Sequence, residues 1–200
     1  ISLFALKDLR GSKFYTSHDG QAHLARLHQF DKALKDGQFP PRWSGQFNGD
    51  RGYPVFIFVY PLPYFIGEGF HLIGFNLAES IKLVFVLFYL MSGVGMYFFI
   101  KEILKNRLSA FFATVLWIWA PYQFVKIFVT ASLGESVSFA FIPLVLLAIY
   151  RFSLFGLALS LAGLILTHMI SLIVFLPLIV SFAFWVLKKT EKVKKLFLGS

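Results

Sequence analysis

Residues 81–100 read IKLVFVLFYLMSGVGMYFFI, an apolar run of the length that a helix needs to cross a bilayer. Asn76 and Glu79 stand ahead of it at the spacing of a capping box, so the first complete span is expected over about 77–100. The cluster Lys101, Lys105 and Arg107 closes it.

The same reading continues toward the C-terminus. A second span is expected over about 108–121, stopped by Pro121. Residues 122–134 (YQFVKIFVTASLG) form an amphipathic connector that contains Lys126. A third span runs over about 135–150, ahead of Arg151. Residues 153–187 hold two short helices or one bent one, about 153–167 and 169–187, with Thr167 and His168 between them. Residues 188–200 are a basic segment carrying Lys188, Lys189, Lys192, Lys194 and Lys195. At the other terminus, residues 1–6 read as the end of a truncated first transmembrane helix, too short to span by themselves.

Composition agrees with this pattern. Of the 200 residues 58% are hydrophobic and only 14% charged, against about 45–50% and about 25% in soluble domains. The expected fold class is therefore an all-α integral membrane protein, a polytopic bundle of transmembrane helices. The net charge of +9 does not mark a nucleic-acid binder, because the basic residues lie in short clusters between apolar runs. There they read as topology signals and contacts to lipid headgroups. The absence of cysteine excludes disulfides, thiolate catalysis and cysteine metal sites.

The positive-inside rule places Lys101–Arg107, Arg151 and Lys188–Lys195 on the cytoplasmic side. An even number of crossings must separate successive clusters. Residues 7–76, the connector 122–134 and the Thr167–His168 break then fall together on the opposite, extracytoplasmic face. Asp19, Glu135 and His168 reach that face on three different segments.

Residues 7–76 form a long loop that holds 14 of the 29 charged residues. Within it, His23, Leu27, Phe30 and Leu34 recur at helical spacing, so about 20–36 should form an amphipathic helix lying on the membrane surface. Gly37 should stop it, and Pro40 and Pro41 prevent its resumption. The stretch 53–66 (YPVFIFVYPLPYFI) is apolar but short and broken by Pro61 and Pro63. It reads as a re-entrant or interfacial segment.

Three places carry chemistry. Asp19 opens the surface helix, where a carboxylate acts as general base, meets a metal, or simply caps the helix beside the positive dipole end. His23, four residues on, faces the same way. Glu135 begins a span, where a carboxylate must be solvated, paired or used; Lys126 and Arg42 are its candidate partners, and either could instead hold a phosphate. His168 interrupts an apolar run, as a packed side chain or as a functional intramembrane group. Trp43, beside Arg42, suits an interfacial anchor. No phosphate-binding glycine loop, zinc spacing or nucleophile motif is present.

Taken together, several stretches resemble the first outer loop of a bacterial and archaeal family of membrane proteins. They are His18-Asp19-Gly20 with His23 and Arg26, Gly37-x-Phe39-Pro40-x-Arg42-Trp43, Gly52-Tyr53-Pro54 and Tyr60-Pro61-Leu62-x-Tyr64. The family is labelled YfhO-like or "6-pyruvoyl-tetrahydropterin synthase-related". Ala120-Pro121-Tyr122, Gly134-Glu135, Pro143-Leu144 and Leu166-Thr167-His168 extend the likeness over roughly residues 14–180. The family is similar to the GT-C glycosyltransferases, which take sugar from a polyprenyl-phosphate carrier.

The resemblance implies a GT-C-like fold in a prokaryotic cytoplasmic membrane. It also implies Asp19 as catalytic residue, since these enzymes place an acidic residue in the first outer loop. His18, His23, Arg42, Lys126, Glu135 and His168 would contact substrate. Many GT-C enzymes carry paired acidic residues at this point, whereas His18 precedes Asp19 here. No cofactor follows from the sequence; Asp19 is the residue that would meet a divalent cation, Mg or Mn, if the reaction uses one. The expected partners are membrane lipids and a polyprenyl-phosphate-linked sugar. The alternative is a non-catalytic carrier or presenter of lipid-linked cell-envelope precursors.

Overall fold

The computed structural model describes Leu9, Gly11 and residues 13–198, with side chains to Lys189. The expected membrane stub 1–6 lies outside the described residues, as do the basic side chains beyond Lys189. Regular structure among the described residues is helical, with an isolated bridge between Ser44 and Tyr53.

The first helix, α1 (Gly20–Lys35), buries His23, Leu27, Phe30 and Ala33. A Schellman motif ends it: Gly37, at φ 83°, donates to the Leu34 carbonyl and Gln38 to that of Ala33. The apolar stripe of α1 packs against protein rather than lipid, with Leu27 and Phe30 almost wholly enclosed by α3 (Leu62–Leu72) and α4 (Leu77–Leu104). The stripe expected to meet the membrane surface is thus covered by protein. An amphipathic stripe specifies an apolar partner but not which one.

The stretch expected as one re-entrant or interfacial segment is two helices, α2 (Val55–Phe58) and α3, separated by extended Val59 and by Tyr60-Pro61. α4 begins with the capping box: Glu79 N–H donates to Asn76 Oδ1 at 2.9 Å and Asn76 N–H to Glu79 Oε2 at 3.0 Å. Its 28 residues extend about 42 Å at 1.5 Å per residue, more than a hydrocarbon core of about 30 Å.

The next segment differs from a plain span. α5 (Arg107–Ile118) stops before Pro121, whose ring cannot continue the helix, and α6 (Pro121–Phe124) runs on through a π turn, Val125–Val129. The two arms are bent by 42°. Lys126 therefore sits on the second arm of this bent pair.

α7 (Leu133–Tyr150) is the central helix and packs against α4, α8 (Leu154–Thr167) and α9 (Met169–Leu198). Val137, Ala140 and Val145 on it are completely buried. Leu77–Leu104, Leu133–Tyr150 and Met169–Lys189 are long and apolar enough to cross a membrane, and the bent pair makes a fourth candidate.

The two ends of this bundle differ in kind. At one, Arg151 pairs with Glu102 at 2.7 Å and Lys189 lies over the Tyr150 ring at 6.0 Å. That end gathers residues from all three basic clusters. At the other, the outer layer built from α1 to α3 meets the connector and the α8–α9 break.

Candidate functional site

Asp19 occupies the cap position of α1, yet its carboxylate makes no capping hydrogen bond and is exposed. What ties this corner down is backbone. His18 N–H donates to the Val129 carbonyl at 3.1 Å and Asp19 N–H to that of Thr130 at 3.0 Å. Gly20 is required beside it, because a Cβ there would lie 2.4 Å from the Phe14 ring.

Arg26 follows Asp19 by two helical turns and is half-buried. Burial opposes its charge, but the hydrogen bond to Tyr64 and the nearby Tyr60 and Asp19 groups outweigh it and raise its pKa. Tyr64 is enclosed and also meets His23 Nδ1, at 2.7 Å. Burial, and then the Arg26 charge, push His23 down to about 4. A neutral Nδ1 can accept the Tyr64 proton, and the phenol oxygen is left to accept from Arg26.

Tyr60 stacks on Tyr64 with ring centroids 6.0 Å apart, and meets the His168 ring edge-on at 5.9 Å. Gly134 makes this approach feasible. A Cβ on it would lie 2.5 Å from the Tyr60 ring and 2.6 Å from the Thr167 carbonyl.

Glu135, in the first turn of α7, is paired. Lys126 Nζ lies 2.8 Å from Oε2, and the Tyr122 hydroxyl donates to Oε1. Lys126 also lies over the Tyr122 ring at 5.0 Å. With both ionic side chains about one-fifth exposed (20% and 18%), the pair offsets part of the cost of placing a carboxylate at a span mouth.

Beside this cluster a cavity of about 330 Å³ opens between α7 and α9. Glu135, Tyr122, His168 and Ser171 give it a polar rim, and Phe139, Val174 and Phe175 an apolar wall. Such a site suits an amphiphile, with head at the rim and tail along the helices.

The structure thus brings Asp19, His23, Lys126, Glu135 and His168 to one end of the bundle. His18 joins them through its backbone, its side chain being exposed. His23 is 1% exposed, so it supports Tyr64 and cannot itself touch a substrate. Arg42 is exposed on a separate loop whose backbone N–H groups, at Arg42 and Trp43, turn to Gln38. Nothing described ties it to Asp19 or to Glu135, and Lys126 is the partner that Glu135 takes. No group of three His, Cys, Asp or Glu side chains suited to a metal converges among the described residues. Asp19 alone is a poor fit for a resident Mg or Mn ion.

Two features stand in the stretches that carry the resemblance but were given no role there. Arg26 is the cation beside Asp19, and its signal was present: seven residues is two turns, which puts both on one face. Tyr60 and Tyr64, which join α1 to the His168 break, carry no comparable signal.

Comparison of the chain with protein-family models, characterised proteins and solved structures yields no match. The class rests on fold and site: an all-α membrane-embedded protein with a polar, aromatic-lined cluster at one end of its bundle.

Proposed function

We propose that the chain belongs to a GT-C-like glycosyltransferase of a prokaryotic cytoplasmic membrane, acting at the extracytoplasmic end of the bundle. It would transfer a sugar from a polyprenyl-phosphate donor to an acceptor hydroxyl. Asp19 takes the proton from that hydroxyl as its oxygen bonds to the sugar's anomeric carbon. The bond from that carbon to the phosphate oxygen breaks, and polyprenyl phosphate departs with the electron pair. Arg26, the cation beside Asp19, faces the charge that develops on the phosphate. Lys126 is already neutralised by Glu135 and Arg42 stands apart, so Arg26 replaces both in this role.

The observation that carries the reading is the Asp19 carboxylate. It sits at a cap position without capping, exposed, and beside a half-buried arginine. The amphipathic cavity at Glu135 and His168 supports it by offering room for a lipid-linked head.

The test is radiolabelled sugar transfer from a panel of polyprenyl-phosphate sugars, using membranes with the full-length protein and with Asp19→Asn or Asp19→Ala. A positioned base contributes about 10²–10⁴-fold, so both variants should lose about that much at unchanged protein level. Transfer that survives both changes returns Asp19 to a structural position. Absence of transfer in protein that still binds polyprenyl phosphate would identify a carrier instead.

A further inference from the structure

We propose that the backbone N–H of Ser171 holds His168 in the tautomer protonated on Nε2, and that the Nε2–H donates a hydrogen bond to the phosphate head of an amphiphile in the cavity between α7 and α9. The ligand half rests on the reading of that cavity given above. The tautomer half stands on hydrogen-bond geometry alone.

His168 lies between α8 and α9 in extended backbone, at φ −166° and ψ 96°. Its Nδ1 is 3.2 Å from the backbone nitrogen of Ser171 and 2.7 Å from Ser171 Oγ. A backbone N–H can only donate, so Nδ1 must present a lone pair to it. A proton on Nδ1 would point at another proton. The neutral ring has one N–H, which is therefore on Nε2.

The serine hydroxyls do not decide the matter, because each carries one proton. Ser138 Oγ donates its proton to the Glu135 carbonyl at 2.6 Å, so across the 2.9 Å to Ser171 Oγ it can only accept. Ser138 is completely buried and Ser171 nearly so. The Ser171 proton is therefore shared between Ser138 Oγ and Nδ1, and the backbone N–H of Ser171 is the donor that fixes the tautomer. The Tyr60 ring, edge-on, restricts rotation from the other side.

With Nδ1 turned to Ser171, Nε2 is the ring atom left to the cavity, which His168 lines together with Tyr122 and Glu135. An N–H there attracts an oxyanion and has no lone pair with which to accept a proton. His168 is thereby a binding residue and not a base. Ser171 is the positioning residue, acting on it through its backbone N–H.

Two measurements on the full-length protein in nanodiscs test this. The first is nitrogen NMR of ¹⁵N-histidine protein, with His168 assigned by its loss in His168→Gln. A bare Nδ1 and protonated Nε2 are expected, and Ser138→Ala with Ser171→Ala, which leave that backbone N–H in place, should keep them. A protonated Nδ1 in the wild type would overturn the tautomer assignment.

The second is binding of a polyprenyl monophosphate. His168→Gln places an amide N–H where Nε2 stood, whereas His168→Asn mimics Nδ1 and keeps the helix cap. Gln should therefore retain affinity and Asn lose about tenfold. The reverse order would reduce His168 to a cap of α9 and overturn the donor role. Equal binding of phosphatidate and polyprenyl monophosphate would keep the donor role but remove the cavity as the sugar donor's site. No binding of either by the wild type would overturn the ligand half and leave the tautomer standing.

Discussion

Arg151 Nη2 donates to Glu102 Oε2 at 2.7 Å across 49 positions of sequence, fixing the closing ends of α4 and α7 at one level. Asp19 and Thr130 are joined at the other end. The two ends should therefore face opposite sides of the membrane. Because the chain has no cysteine, single substitutions Lys105→Cys and Lys32→Cys can be probed with an impermeant maleimide. Each should label from one side only, and the sides should differ; labelling of both from the same side would break the topology.

Gly134 is where α7, Tyr60 and the Thr167 carbonyl approach most closely. Gly134→Ala should cost about 1–3 kcal/mol, the usual penalty of overpacking, measured by unfolding in mixed micelles. It should also shift Tyr60 away from His168, visible as a change in the His168 nitrogen resonances. Full stability in the variant would mean that the backbone there yields more easily than its packing suggests.

The Lys126–Glu135 pair is enclosed enough to matter. Lys126→Met leaves the carboxylate with Tyr122 and a long contact to Ser132, and should destabilise by about 1–3 kcal/mol, below the range for a completely buried pair. Adding Glu135→Gln should recover part of that loss. A double-mutant cycle with no coupling would show the pair to be as weak as an exposed surface bridge.

The docking of α1 should have an optimum in pH. His23 is depressed to about 4, so its contribution is present above the unfolded value and is lost as pH falls toward the folded one. Glu68 behaves oppositely. Burial, and then Asp31 across the α1–α3 interface, raise its pKa, against the pull of His71 and Lys35. Its contribution is present below the unfolded carboxylate value and is lost as pH rises through the raised one. Hydrogen exchange of α1, corrected for intrinsic rates, should therefore speed up on both sides. Glu68→Gln should flatten the alkaline limb alone; an unchanged alkaline limb would remove Glu68 from the account.

Some of this was legible in one dimension because its physics is local. A run such as 81–100 partitions into lipid by its own composition, and Asn76 with Glu79 cap α4 from three residues apart. Gly37 ends α1 because only a few backbone bonds near it decide the matter. The grouping of basic clusters at one end, and of Asp19, Glu135 and His168 at the other, follows from counting crossings.

The rest required packing. The stripe of α1 reads the same whether lipid or α3 and α4 cover it, since either partner removes it from water. His23 resembled a ligand-facing residue until Tyr64, 41 positions away, was found against its ring. The contact of Ser138 with Ser171, 33 positions away, likewise has no pattern along the chain. The sequence alone determined that this protein enters a membrane as helices and which ends of them lie together. Only the tertiary structure decided which polar groups pair there, because those pairings depend on side-chain contacts between segments that neither local propensity nor hydrophobic period specifies.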